Sequence, residues 1–153
     1  MDNKDLMRDD YVMFFNSRKI GKRAKVGQIL QHSCLLLYNN FPDETDYYNE
    51  IVVNNENIHP IKLTQDIMHE IVEQNEDNSK VRLYFHMDGG GEIFQVSKYY
   101  FVKFAPNEIP CIVDQVGYTS DGDYIDNHIM DVEFVHDFQH AEKCLKFNLN
   151  INI

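Results

Sequence analysis

The sequence predicts an α+β protein that is mainly β: an N-terminal SH3-like small β barrel, a linking helix, an antiparallel sheet and a C-terminal helix. Three observations lead there. The first sixty residues hold four or five short apolar or alternating runs separated by tight turn signals. Thr64, with Asp66 in the turn after it, opens a segment of helical period. Beyond it, a triple-glycine turn separates two aromatic-rich runs.

The elements follow in order. Tyr11-Val12-Met13-Phe14-Phe15 is a first strand, rich in aromatic and β-branched residues. Gly21 suits a turn inside the basic segment after it. Lys25-Val26-Gly27-Gln28-Ile29-Leu30 alternates as a second strand, and residues 34–38 are an apolar run for a buried third. Asn39-Asn40-Phe41-Pro42-Asp43-Glu44 reads as a loop, with Pro42 excluded from a central strand. Residues 48–53 are a further strand, and Asn54-Asn55-Glu56-Asn57 is a polar turn before Ile58.

The linking helix carries Ile67, Met68, Ile71 and Val72 on one face and ends near Gln74. The loop after it divides two lobes, 1–76 and 80–153, within what should be one compact unit. Residues 81–85 form a strand, and Asp88-Gly89-Gly90-Gly91 is a hairpin turn. Residues 92–104 return as one long strand. Residues 111–118 and 129–134 are two more, with a turn at Ser120-Asp121-Gly122-Asp123. The last helix, 134–147, aligns Phe134, Phe138, Ala141 and Leu145 in a stripe.

A chain of 153 residues buries roughly 70% of its unfolded surface, so it needs no disulfide or metal staple. Cys34, Cys111 and Cys144 are odd in number and far apart, which predicts reduced thiols in a cytoplasmic setting. The first five residues are polar, unlike a signal peptide, and no apolar run approaches the ~20 residues of a membrane span. A net charge of −11 disfavours nucleic acid and suits a basic protein partner. Against that background Arg18, Lys19, Lys22, Arg23 and Lys25 stand out: they read first as a solvated hairpin tip, and second as an anion-docking segment.

Three landmarks support a resemblance: Arg8-Asp9-Asp10-Tyr11-Val12 with Val26-Gly27-Gln28-Ile29, then Ile58-His59-Pro60-Ile61-Lys62-Leu63-Thr64, then Val132-Glu133-Phe134-Val135-His136-Asp137-Phe138-Gln139. In order and spacing they resemble a group of small uncharacterised proteins from phages and prophages of gut bacteria. Those begin with a "GD-x-V" strand, pass through an "I-x-P-I-x-L-T" junction and end in a "Y-V-H-E-L-Q" helix. Here Asp9-Asp10 stands for the Gly-Asp opening, and Phe134 and Asp137 for the Tyr and Glu of the helix. The resemblance implies a phage or mobile-element origin, a cytoplasmic location and a binding role, with no known activity attached. Residues 81–117 are richer in aromatics than the resemblance leads one to expect.

No coherent catalytic constellation emerges, and no cofactor is expected. His136 and His140, at i and i+4, echo a zinc-binding H-E-x-x-H, but Asp137 is one methylene short and no third ligand follows. Asp121, Asp123, Asp126 and Asn127 lack EF-hand spacing. The glycine turn lacks the Lys-Ser/Thr and the helix of a phosphate loop. Cys144, with His140 one turn away, has no oxyanion hole to make it a nucleophile.

Tyr84, Tyr99, Tyr100 and Tyr118 lie on neighbouring expected strands, as core or as an exposed platform for a base or a partner. The leading expectation is a non-catalytic binding protein that modulates a host factor, such as a defence component. A small anionic ligand such as a nucleotide signal, held by residues 18–25, comes second. An SH3-like nucleic-acid module comes third.

Overall fold

The computed structural model describes residues 6–15, 18–39, 49–121 and 124–153. Among the described residues, two antiparallel five-stranded sheets and two α-helices make the expected α+β, mainly-β architecture. The chain divides into two units: residues 1–62 with 134–136, and residues 63–133 with 137–153. No helix among the described residues is long and apolar enough to cross a membrane.

In the first unit, β1 (Tyr11–Phe15), β2 (Gly21–Ile29), β3 (Ser33–Tyr38), β4 (Asn49–Asn54) and β5 (Ile58–Pro60) lie in the order β4-β3-β2-β1-β5. Among the described residues no ladder joins the edge strands β4 and β5, so the sheet is open where a closed SH3-like barrel was expected. Val12, Phe14, Ala24, Val26, Leu36 and Ile58 fill its core, alternating along their strands as a half-buried sheet requires. The loop expected at 39–44 and the strand start at Tyr48 fall outside the described residues, except for Asn39.

Gly21, expected at the turn, is instead the first residue of β2 and pairs with Phe15. A Cβ there would sit 3.0 Å from the Met13 sulfur, so the glycine admits a close cross-strand approach. The turn before it contains Lys19, at a φ of 59°. Gly27 is an extra residue in β2: Val26 pairs with Leu36 and Gln28 with Leu35, leaving Gly27 as a bulge.

The three landmark segments are hydrogen-bonded to one another. Asp9 N–H donates to Val26 O (2.7 Å) and Val26 N–H to Asp10 O (2.9 Å), while Val12 pairs with Pro60. Val135 N–H donates to Ile61 O at 2.9 Å. Through these bonds the three motifs build backbone framework.

In the second unit, α1 (Gln65–Gln74) starts and stops where expected: the Thr64 hydroxyl accepts the Ile67 N–H at 3.3 Å, and Ile67, Met68 and Ile71 are buried. Asn75 then accepts the Asn150 N–H (2.8 Å) and donates to its carbonyl (2.7 Å), tying the helix end to the C-terminal segment. The sheet runs β10-β9-β8-β7-β6: β6 (Arg82–His86), β7 (Glu92–Gln95), β8 (Tyr100–Phe104), β9 (Cys111–Tyr118) and β10 (Tyr124–Asp131). Gly89 and Gly90, at φ 88° and 92°, form the expected hairpin turn.

Two expectations fail here. Residues 92–104 form two strands, because the Ser97 hydroxyl accepts the Tyr99 and Tyr100 N–H groups and folds the chain back. The strand expected at 129–134 begins at Tyr124, and two register shifts hide its alternation. Gln115, at φ 53°, lies within the first shift. The last helix, α2 (Val135–Leu145), is shorter than the expected 134–147: Phe134 precedes it, bridged to Lys62 and partly buried, while within α2 Phe138 and Ala141 are buried and Leu145 only partly so. Lys146 at φ 56° closes α2, with Phe147 N–H donating to Glu142 O at 3.3 Å in a Schellman arrangement. Cys34 is buried in the first core and Cys111 in the second, whereas Cys144 is exposed.

Candidate functional site

The second sheet has two unlike faces. On one, Phe94 packs edge-on against His69 of α1 (4.9 Å between centroids) and against Phe104, and Tyr100 meets Phe147. The other holds the small core of Ile93, Phe101, Cys111 and Val113. Over that second face Tyr84 of β6 lies on Phe101 of β8 at 4.9 Å, and Phe85 of β6 reaches Tyr118 of β9 at 6.0 Å. Both contacts pass over intervening strands. Tyr118 in turn meets Tyr124 at 5.9 Å, so the rings line a trough.

A bulge places two of these rings. Leu83 pairs with Phe94 and Phe85 with Ile93, leaving Tyr84 as the extra residue. Neighbours on a regular strand point to opposite faces; the bulge re-aims one, so Tyr84 and Phe85 both serve the trough. Tyr84, Phe85 and Tyr118 stay 44%, 37% and 55% exposed.

Below the rings, Lys103 donates to Asp126 at 2.5 Å in a largely buried ion pair, and its Nζ lies 5.4 Å from the Tyr124 ring centroid. Burial works to lower the Lys103 pKa, but the hydrogen bond and charge of Asp126 outweigh it and hold it above the ordinary lysine value. Burial, with Asp126 nearby, raises the Tyr124 phenol, and burial raises the Cys111 thiol against the opposing charge of Lys103. These groups form a neutralised floor with no exposed nucleophile.

The expected tyrosine platform is thus divided. Tyr84 and Tyr118 share the trough, Tyr100 lies on the opposite face, and Tyr99 projects from the β7–β8 turn, 63% exposed, with Lys98 Nζ 5.0 Å from its ring centroid. Phe85 escaped the sequence reading. Its neighbour Tyr84 gave no sign of a bulge, since no glycine marks one.

The basic segment is divided too. Arg18 and Lys19 precede β2, Lys22 shares the core-side parity of Ala24 and Val26, and Arg23 and Lys25 point the other way. Lys22 Nζ lies 5.5 Å from the Tyr38 ring centroid and Lys25 Nζ 5.1 Å from that of Tyr11. Burial lowers the Lys25 pKa, partly offset by Asp9. On the same sheet, Gly27, Leu35 and Leu37 line an open depression of about 580 Å³ with Arg8 and Glu50.

His136 is buried with its ring stacked on Phe134, 5.6 Å between centroids and 4° between planes. His140 is half-buried. Among the described residues no group of three His, Cys, Asp or Glu is arranged to hold a metal ion. Of the carboxylate cluster, Asp126 is paired with Lys103, and Asp123 lies outside the described residues.

Compared with known protein families, curated proteins and solved structures, the chain matches none.

Proposed function

We infer that this is a non-catalytic binding protein whose working surface is the aromatic trough of the second sheet. The observation that carries the reading is the bulge at Tyr84, which sets two partly exposed rings beside exposed Tyr118 on one face. Aromatic anchors of this kind dominate binding energy at protein interfaces. The net charge of −11 favours a protein partner with a basic surface. With the phage-protein resemblance, that partner is a factor of a bacterial host cell, such as a defence component, met in the cytoplasm. For the first sheet we keep the SH3-like reading, supported by the return of β5 to β1 beside the β1-β2-β3-β4 meander.

The test is affinity capture from host lysate with three baits: the unaltered chain, Phe85→Ala/Tyr118→Ala, and a first-sheet control, Phe15→Ala. The expected result is one protein enriched on the first and third baits and lost from the second, with all three baits melting alike. The reading is overturned if no protein distinguishes the first bait from the second.

A further inference from the structure

At one end of the second sheet, two cations in this acidic chain sit on rings. The Arg82 guanidinium carbon is 5.9 Å from the Tyr84 ring centroid, and Lys98 Nζ is 5.0 Å from that of Tyr99. The chain has 25 Asp and Glu against 14 Lys and Arg, so an exposed cation meets carboxylates readily. Among the described residues neither Arg82 nor Lys98 pairs with one.

The two cation–ring pairs are joined. Arg82 Nε donates to Gln95 Oε1 (3.1 Å), and Gln95 Nε2 donates to the Ser97 carbonyl (3.1 Å). The Ser97 hydroxyl accepts the Tyr99 N–H at 3.3 Å and so fixes the turn that carries Lys98 and Tyr99. Tyr84 rests on Phe101, two residues past Tyr99. Because Arg82 engages Gln95 through Nε, its two terminal NH2 groups keep the fork geometry that matches a phosphate.

We propose that Arg82, Tyr84, Lys98 and Tyr99 form a binding site for a mononucleotide. An exposed tyrosine ring stacks the base, and the guanidinium and ammonium groups receive the phosphate. The proposal rests on reading this face as a binding surface, and it names a ligand class for one end of it. A base and phosphate at the end of a single-stranded nucleic acid offer the same chemistry. The net charge of −11 opposes a polyanion far more than a single phosphate, which selects the free nucleotide.

The experiment is calorimetric titration of the full chain with AMP and GMP, and in parallel with adenosine, ribose 5-phosphate and a ten-residue single-stranded oligonucleotide at low salt. AMP or GMP should bind saturably, with adenosine and ribose 5-phosphate each at least tenfold weaker. Arg82→Gln/Lys98→Gln should weaken binding at least tenfold, as should Tyr99→Ala, with melting temperatures unchanged because these side chains are exposed. No binding of either nucleotide at millimolar concentration overturns the proposal, as does binding that Arg82→Gln/Lys98→Gln leaves intact. Tighter, salt-sensitive binding of the oligonucleotide overturns the mononucleotide assignment. If nucleotides fail while the Phe85→Ala/Tyr118→Ala bait still loses a partner, only this proposal falls. If nucleotides bind and no partner is captured, only the protein-partner reading falls.

Discussion

Strand β2 of the first sheet and strand β6 of the second each carry a bulge with one extra residue, and these two bulges have opposite results. In β2 the extra residue is Gly27, whose added Cβ would come within 3.1 Å of the Leu37 side chain; without one, the surface opens into a depression. In β6 the extra residue is Tyr84, and its ring covers Phe101 instead of leaving space. One backbone irregularity therefore leaves a space open or lays a ring over the sheet, according to the side chain at the extra position. The ionic groups differ as well. Both sheets lay cations on tyrosines, Lys22 and Lys25 in the first and Arg82 and Lys98 in the second, but the second also joins its largely buried Lys103 to a carboxylate.

The largest test of the contrast removes one fully buried side chain from each unit. Phe94→Ala should cost about 3–5 kcal/mol and Leu36→Ala about 2–5 kcal/mol in urea denaturation. A loss under 1 kcal/mol in either would mean that its sheet does not pack as described. The bulges come next. Gly27→Val forces branched carbons against Leu37 and should cost about 1–3 kcal/mol. Tyr84→Ala, at a partly exposed ring, should stay below that.

Asp126→Asn strands the Lys103 ammonium and should cost about 2 kcal/mol near neutral pH. The pKa of Lys103 is raised in the folded state, so its stabilisation is complete below the unfolded lysine value of about 10.4 and fades as pH rises through the folded one. Lys25, with its pKa lowered, has the reverse sign: stability rises with pH across its window. Urea midpoints between pH 9 and 11 should therefore fall less steeply in Asp126→Asn than in the unaltered chain, and Lys25→Met should make the fall steeper. The smallest effect is a gain. Lys146→Gly relieves a left-handed non-glycine residue and should add about 0.5–1 kcal/mol, visible as a higher melting temperature.

Where short-range chemistry decides, the sequence was readable. Thr64 caps α1, Gly89 and Gly90 turn the hairpin, and residues 111–118 form a strand with the expected bounds. It was opaque where a single side chain redirects the backbone. Ser97 splits a continuous apolar run, and nothing short of its hydroxyl geometry says so. The bulges in β9 and β10 erase the alternation that would have located β10. For the site, Tyr84 and Tyr118 were legible as candidates, but the face each ring takes depends on strand parity, and a bulge without glycine changes it silently. Tyr100 illustrates the cost: adjacent to Phe101, it lies on the other side of the sheet.

The three cysteines have a practical consequence. Cys34 sits in one core and Cys111 in the other, both with thiols raised by burial, while Cys144 stands exposed on α2. A maleimide should modify Cys144 at once in the native protein, giving a single attachment point for a dye or a surface without mutagenesis. Once that thiol is capped, the remaining two become timers. The rate at which each is alkylated reports the opening of its own unit, so one mass spectrum per time point would show whether the two sheets breathe together or separately.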